Sequence, residues 1–298
     1  MKKSSNLKAF SLIELSVVIL IIGVLVLGVT QGSRMMRQAK LTSARSLTTS
    51  SPVASIDGLD LWLEATSEKS FKSSEAVNTA IGSDGTLTNW YDINPQTTSP
   101  NNTSQTNSDK KPRYIANAIN GLPAVNFDGT DDYLVSSGIL SGLSGVTVFA
   151  VLKPSSFSGP RTIVRGGTIN SSKEGSLAFA LTKSGSKAGC VRFVHNGSWT
   201  GSWTPSGPLF SDSDSVVCSM RYNGTNLQGW TNGIADTKDL VSDSLSVTEN
   251  TLIGIDPALG ATFKGGMGEI IIFNRGLNET ERQSVESYLS QKWGVVIP

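Results

Sequence analysis

The chain has 298 residues, a net charge of +1 and 38% hydrophobic residues. That length and apolar share exclude a disordered chain, and the near-neutral balance excludes nucleic-acid binding by bulk charge. The apolar residues are unevenly placed, beginning with the amino end. A basic stub with Lys2, Lys3 and Lys8 precedes the junction Ala9-Phe10-Ser11-Leu12-Ile13-Glu14-Leu15 and an apolar run to Val29. Residues 10–29 make roughly 30 Å of helix, the thickness of a bilayer's hydrocarbon core. Glu14 is the lone acid in that run. A carboxylate in a membrane segment is costly, so it marks a function.

This junction followed by an aliphatic helix resembles the cleavage and methylation signal of type IV pilins and type II secretion pseudopilins. The resemblance implies that a prepilin peptidase cuts between Ala9 and Phe10 and methylates the new amine, leaving a leader of residues 1–9. Glu14 becomes the fifth residue of the mature chain, where a neighbouring subunit's Phe10 ammonium can pair with it during assembly. The same resemblance places the amino end in the cytoplasm and the following domain outside it. Two departures stand out. The family usually has glycine where Ala9 stands, and often a proline near Gln31 and Gly32, which leaves Gly23, Gly28 and Gly32 as flexible points. An ordinary secretory signal or a plain anchor shares the basic start and apolar core, but gains nothing from an acid at the entrance.

Helical spacing continues through Met35, Met36 and Leu41, so the helix is expected over residues 10–45. The Ser/Thr density and Pro52 of residues 46–56 predict a linker. From residue 57 to the end, short β-rich runs alternate with Gly, Asn, Asp and Ser clusters, at 59–63, 124–127, 146–152, 177–181, 190–194, 216–222, 251–255 and 269–273. Their spacing predicts antiparallel sheets in one large β-sandwich, and the lack of alternating helices excludes a parallel α/β fold. Asp128-Gly129, Asn223-Gly224 and Asn232-Gly233 are turn signals. One helix is predicted at the end. Asn278 and Glu281 form a capping box, Val285, Tyr288, Leu289 and Trp293 share a face, and Gly294 terminates it.

Leu59-Asp60-Leu61-Trp62-Leu63, Asn89-Trp90-Tyr91-Asp92, Pro123-Ala124-Val125-Asn126-Phe127-Asp128-Gly129 and the tail from Gly268-Glu269-Ile270 to Trp293-Gly294 together resemble laminin-G-like, concanavalin A-like domains. The resemblance implies an all-β jelly roll, a fold that serves as lectin, protein-binding module or glycoside hydrolase. Hydrolases of this fold carry two acids at even offsets on one strand. No Glu-x-Asp-x-Glu string occurs, and Glu269 is followed at those offsets by Ile271 and Phe273. The chain is therefore expected not to be an enzyme, with an acid pair drawn from distant strands as the open alternative.

Other chemistry is thinly supplied. The single histidine, His195, stands before a turn signal, and two cysteines with one histidine lack zinc-ligand clustering. Asp128, Asp131 and Asp132 crowd one loop and are candidate calcium ligands, the plain alternative being a hairpin turn with exposed acids. No other cofactor is expected. For ligand binding, residues 195–205 place Trp199 and Trp203 in a Gly/Ser/Thr loop beside His195 and Asn196. Indole faces presented by a loop suit sugar stacking or a protein contact, whereas the same tryptophans folded inward are core. Trp62, Trp90, Trp230 and Trp293 read as structural. The polar segment 94–111 reads as a loop excursion. Cys190 and Cys218 lie in two predicted strands and form either a disulfide or buried thiols. The combined expectation is a pilin-like subunit that displays a lectin-like sandwich for attachment, its partners being the prepilin peptidase, other pilin or pseudopilin subunits and a surface glycan or protein. Its alternatives are a secretion pseudopilin and an anchored glycan-acting hydrolase.

Overall fold

A computed structural model describes residues 12–71, 84–155, 160–167, 177–184, 187–195, 199–202, 210–211, 213–235, 239–240, 250–257 and 260–298. Its first element, helix α1 (Leu12–Thr49), holds the apolar run. The side chains of Leu12, Ile13, Leu20, Leu25 and Val29 are between 62% and 86% exposed, and the helix is long and apolar enough to cross a membrane. The hydroxyls of Ser16, Thr30 and Ser33 bond back to their own helix. Ser16 Oγ donates to Ile13 O at 2.8 Å, Thr30 Oγ1 to Val26 O at 3.0 Å and Ser33 Oγ to Val29 O at 2.6 Å. No hydroxyl among them needs water, as an apolar medium requires. Ala9 and Phe10 lie outside the described residues, while Glu14 lies in the first turn of α1.

The chain divides into two compact units, residues 1–42 and 43–298. The second unit includes the last turns of α1, and here the structure departs from the expected linker. The helix runs on to Thr49, and Pro52–Ser55 forms a 3-10 turn. Ala44 and Val53 are buried in the head's core. Arg45 Nε donates to Thr66 O at 2.8 Å and its guanidinium pairs with Glu68. The Ser/Thr residues that argued for a linker bond back to their own helix, with Thr48 donating to Ala44 O and Thr49 to Arg45 O. Low helix propensity is outweighed by packing and by these local bonds.

Among the described residues, two large antiparallel sheets make the body of the head. One has the spatial order Ile234–Ala235, Asn226–Thr231, Val216–Tyr222, Val146–Pro154, Lys264–Phe273, Leu122–Asp128 and Arg113–Ile119, and strand Leu59–Glu64 also pairs with Lys264–Phe273. The other runs Trp199–Ser202, Lys187–His195, Leu177–Ser184, Arg161–Gly166, Thr251–Ile253, Leu134–Ser136, Thr103–Ser104 and Asn89–Trp90. Apolar side chains from both sheets, among them Phe127, Phe149, Phe179, Val216 and Ile271, join one buried cluster. The expected strand over 251–255 is split at Gly254, whose φ is +89°; a side chain there would meet the Phe127 ring at 2.5 Å. The strands Arg113–Ile119, Arg161–Gly166 and Asn226–Thr231 were not expected, because their charged or amide residues interrupt the apolar pattern.

The closing helix α2 (Glu279–Trp293) has both bonds of its capping box, and Gly294 ends it at φ +63°. Val285, Tyr288, Leu289 and Trp293 are buried as expected, and so are Arg282, Glu286 and Lys292. Arg282 stacks on the Trp230 ring at 4.2 Å and pairs with Glu286. The neighbouring strand makes room for the helix through Gly268, where a Cβ would lie 2.6 Å from the Trp293 ring.

Candidate functional site

Where the end of α1, the first strand and α2 meet, the head holds a buried polar cluster. Glu64 and Glu269 stand directly opposite each other on adjacent antiparallel strands. Lys292 from α2 reaches both, its Nζ lying 2.6 Å from Glu64 Oε1 and 2.9 Å from Glu269 Oε2, and all three side chains are fully buried. Glu64 also accepts from Thr66 N–H at 2.7 Å, from the Thr66 hydroxyl and from Ser67 N–H. Glu269 accepts from Trp62 Nε1 at 2.7 Å and from Tyr288 OH and Trp293 Nε1, both at 2.8 Å. Burial and the two nearby carboxylates push the Tyr288 hydroxyl well above its usual range, so it remains a donor. Lys292 donates further to Thr48 Oγ1 at 2.7 Å. Sequence reasoning gave Glu269 no partner because it looked along one strand; Glu64 lies across the ladder, and Lys292 is a charged residue between Leu289 and Trp293 of the predicted apolar face.

Beside this cluster opens a cleft of about 520 Å3, with Trp62, Ala54 and Ile93 in its apolar lining and Arg45, Glu68 and Lys69 as charged lining groups. Its volume is that of a small-ligand site. Nearby, Asp92 accepts from the backbone N–H groups of Trp62, Asn94 and Asn101, which ties the 94–102 segment to the first strand. That segment, expected as a loose excursion, is therefore bound down. Burial pushes Asp60 up to about 6, with the Asp92 charge adding to the rise.

The acidic loop follows strand Leu122–Asp128. Carboxylate oxygens of Asp128, Asp131 and Asp132 all lie within 4.8 Å of one another, which suits a hard cation. The same oxygens already serve the turn. Asp132 Oδ2 accepts from Asp128 N–H at 2.8 Å, and Asp128 Oδ1 from Thr130 N–H at 2.7 Å. Burial pushes the Asp132 carboxyl up to about 6, the charges of Asp128 and Asp131 adding to it.

The structure changes the reading of residues 195–205. Trp199–Ser202 is a strand, paired with Lys187–His195 at the edge of the second sheet, and Trp199 is the register partner of His195. Trp and Thr suit an edge ladder, which converts the expected loop into a hairpin. Asn196 and Trp203 lie outside the described residues. Cys218 is disulfide-bonded; the backbone of Cys190 lies in Lys187–His195, in the sheet opposite that of Cys218.

No protein-family model matches the sequence, and no curated protein is similar to it. Solved structures share the fold. Domain 4 of an extracellular arabinanase of family GH43 from Geobacillus stearothermophilus, solved in complex with arabinotriose, is 12% identical with a TM-score of 0.50, covering 76% of this chain and 97% of that domain. An arabinofuranosidase complexed with arabinofuranosyl-alpha-1,2-xylobiose is 13% identical, TM-score 0.54, covering 70% of this chain and 51% of its own. Trypanosoma rangeli sialidase is 12% identical, TM-score 0.52, covering 86% of this chain and 39% of its own. The chain thus spans less than two thirds of the last two. Behind one membrane-length helix stands a β-sandwich of the kind found in carbohydrate-binding and glycan-acting proteins.

These neighbours correct one expectation. The chain was expected not to be an enzyme because no acid pair lies along one strand, yet its neighbours in fold are mainly glycoside hydrolases. Glu64 and Glu269 show the physical reason that the exclusion fails: antiparallel pairing joins acids that are far apart in sequence.

Proposed function

We propose that the chain is a pilin-like, membrane-inserted subunit whose β-sandwich head, held outside the cytoplasm, binds carbohydrate in surface attachment or recognition. The observation that carries this reading is the joining of one exposed apolar helix to a head with the fold of a domain solved with bound arabinotriose. The junction Ala9-Phe10 and the acid Glu14 support processing by a prepilin peptidase and assembly with other pilin or pseudopilin subunits. In that reading Glu14 pairs with a neighbour's Phe10 ammonium, because a carboxylate in hydrocarbon needs a partner. The strand pair that aligns His195 with Trp199 is the proposed sugar-contacting edge, with Asn196 and Trp203 as further candidate contacts.

Two measurements test the reading. Glycan-array binding by the detergent-solubilised protein should be lost in Trp199→Ala/Trp203→Ala at unchanged melting temperature; unchanged binding removes the hairpin from the site, and release of sugar from bound glycan would move the assignment to a hydrolase. Separately, Glu14→Val should still insert in the membrane yet disappear from sheared surface material. Wild-type amounts of that variant in the sheared fraction would refute the pairing.

A further inference from the structure

The cluster of Glu64, Glu269 and Lys292 has more neutral hydrogen-bond donors than an ion triad needs. Two carboxylates and one ammonium leave one net negative charge among fully buried side chains, an arrangement whose desolvation the Coulomb attraction offsets poorly. Glu269 nevertheless has three neutral donors of its own, Trp62 Nε1, Tyr288 OH and Trp293 Nε1. It stays solvated by the protein even if the lysine's charge is withdrawn. Glu64 has Thr66 N–H on one oxygen and Ser67 N–H on the other. Whichever oxygen it retains, a backbone donor remains on it. The ammonium itself is walled by the Trp293 and Tyr288 rings, at 5.3 and 5.5 Å.

We propose that Lys292 and Glu64 condense spontaneously into a side-chain amide, with Glu269 as the proton carrier, so that the mature head is cross-linked between its first strand and its last helix. The step balances without a co-reactant. Glu269 takes one proton from the Nζ ammonium; the freed lone pair attacks Cδ of Glu64 and the C–N bond forms. A second proton leaves the nitrogen, and the two protons depart with one Glu64 oxygen as water, one of them returned by Glu269. The third stays as the amide N–H. One net negative charge is present before and after, carried at the end by Glu269 on its three neutral donors. The Thr66 and Ser67 N–H groups, aimed at the Glu64 oxygens, stabilise the negative charge that develops there. In water an ammonium and a carboxylate outlast their amide because both ions are hydrated. Here both side chains are fully buried, and contact at 2.6 Å supplies the proximity that a bimolecular reaction lacks.

The consequence is mechanical as well as thermodynamic. The bond closes residues 64–292 into one loop, nearly the whole head, which restricts the unfolded chain as other long cross-links do. It also lies next to where α1 enters the head, through Thr48, which Lys292 touches.

The test is peptide mass spectrometry on the full-length protein, purified in detergent, denatured and digested with trypsin. The expected species joins peptides 46–69 and 283–298, lighter by one water than their sum, with the cut after Lys292 missing and fragment ions placing the link at Glu64 and Lys292. Glu269→Gln, which keeps the shape and an acceptor but cannot carry the proton, should yield the two peptides unlinked. Wild-type protein that gives unlinked 46–69 and 283–292 overturns the proposal, whatever the variants do. A linked species in Glu269→Gln overturns the role of Glu269.

Discussion

Replacing Gly268 by alanine should destabilise the head by driving a methyl group into the Trp293 ring. The Cβ would lie 2.6, 2.7 and 2.9 Å from three carbons of the Trp293 ring, whereas ordinary contact begins near 3.4 Å. The indole cannot step aside freely. It is fully buried, and its Nε1 donates to Glu269 Oε2 at 2.8 Å. Overpacking costs about 1–3 kcal/mol, and losing a hydrogen bond to a buried carboxylate adds about 1.5–3 kcal/mol. A total of about 3–5 kcal/mol corresponds to a fall of roughly 10 °C or more in melting temperature for a head of this size. Thermal unfolding of the full chain in detergent, followed by near-ultraviolet circular dichroism, reads the effect. Trp293→Phe removes the outer ring that clashes, so the double variant should lose less than the sum of the single losses. A Gly268→Ala protein within about 0.5 kcal/mol of wild type, or strict additivity in the double variant, would refute the packing argument.

Two further outcomes follow from the geometry. Asp132, raised from an ordinary value of 3.8 to about 6, keeps its proton longer in the folded state than in the unfolded state, so its contribution to stability is present below about pH 4 and is lost as pH rises to about 6. Asp132→Asn should therefore flatten the decline in melting temperature between pH 4 and 6.5; Asp60, raised to about 6 as well, will sustain the rest of it, and an unchanged pH profile would contradict the shift. Asn278→Ala removes the side-chain acceptor from the N–H of Glu281 and should cost about 1 kcal/mol in a urea titration, with Asn278→Asp close to wild type; equal stability of the alanine variant would show that Arg275, which grips Glu281 through both oxygens, holds the helix start alone.

How far the sequence spoke for itself depended on whether a feature was local. The apolar run of α1 is legible because twenty residues without a charge other than Glu14 have few other uses, and α2 because Asn278, Glu281 and Gly294 act within one or two turns. Short β-rich apolar runs such as 146–152 and 269–273 announced strands because each buries side chains whatever its partner is. Other features needed the third dimension. Thr48 reads as linker until it lies against Lys292, and nothing local in the sequence marks Lys292 as the cation on which Glu64 and Glu269 converge. Asp92 looks like a loop residue until three backbone N–H groups converge on it. Each of these depends on at least one group tens to hundreds of residues away in the chain, and pairing across sheets leaves no periodicity in sequence. Propensity, capping and hydrophobic period are written along the chain, but buried charge is settled only by which side chains the fold brings together.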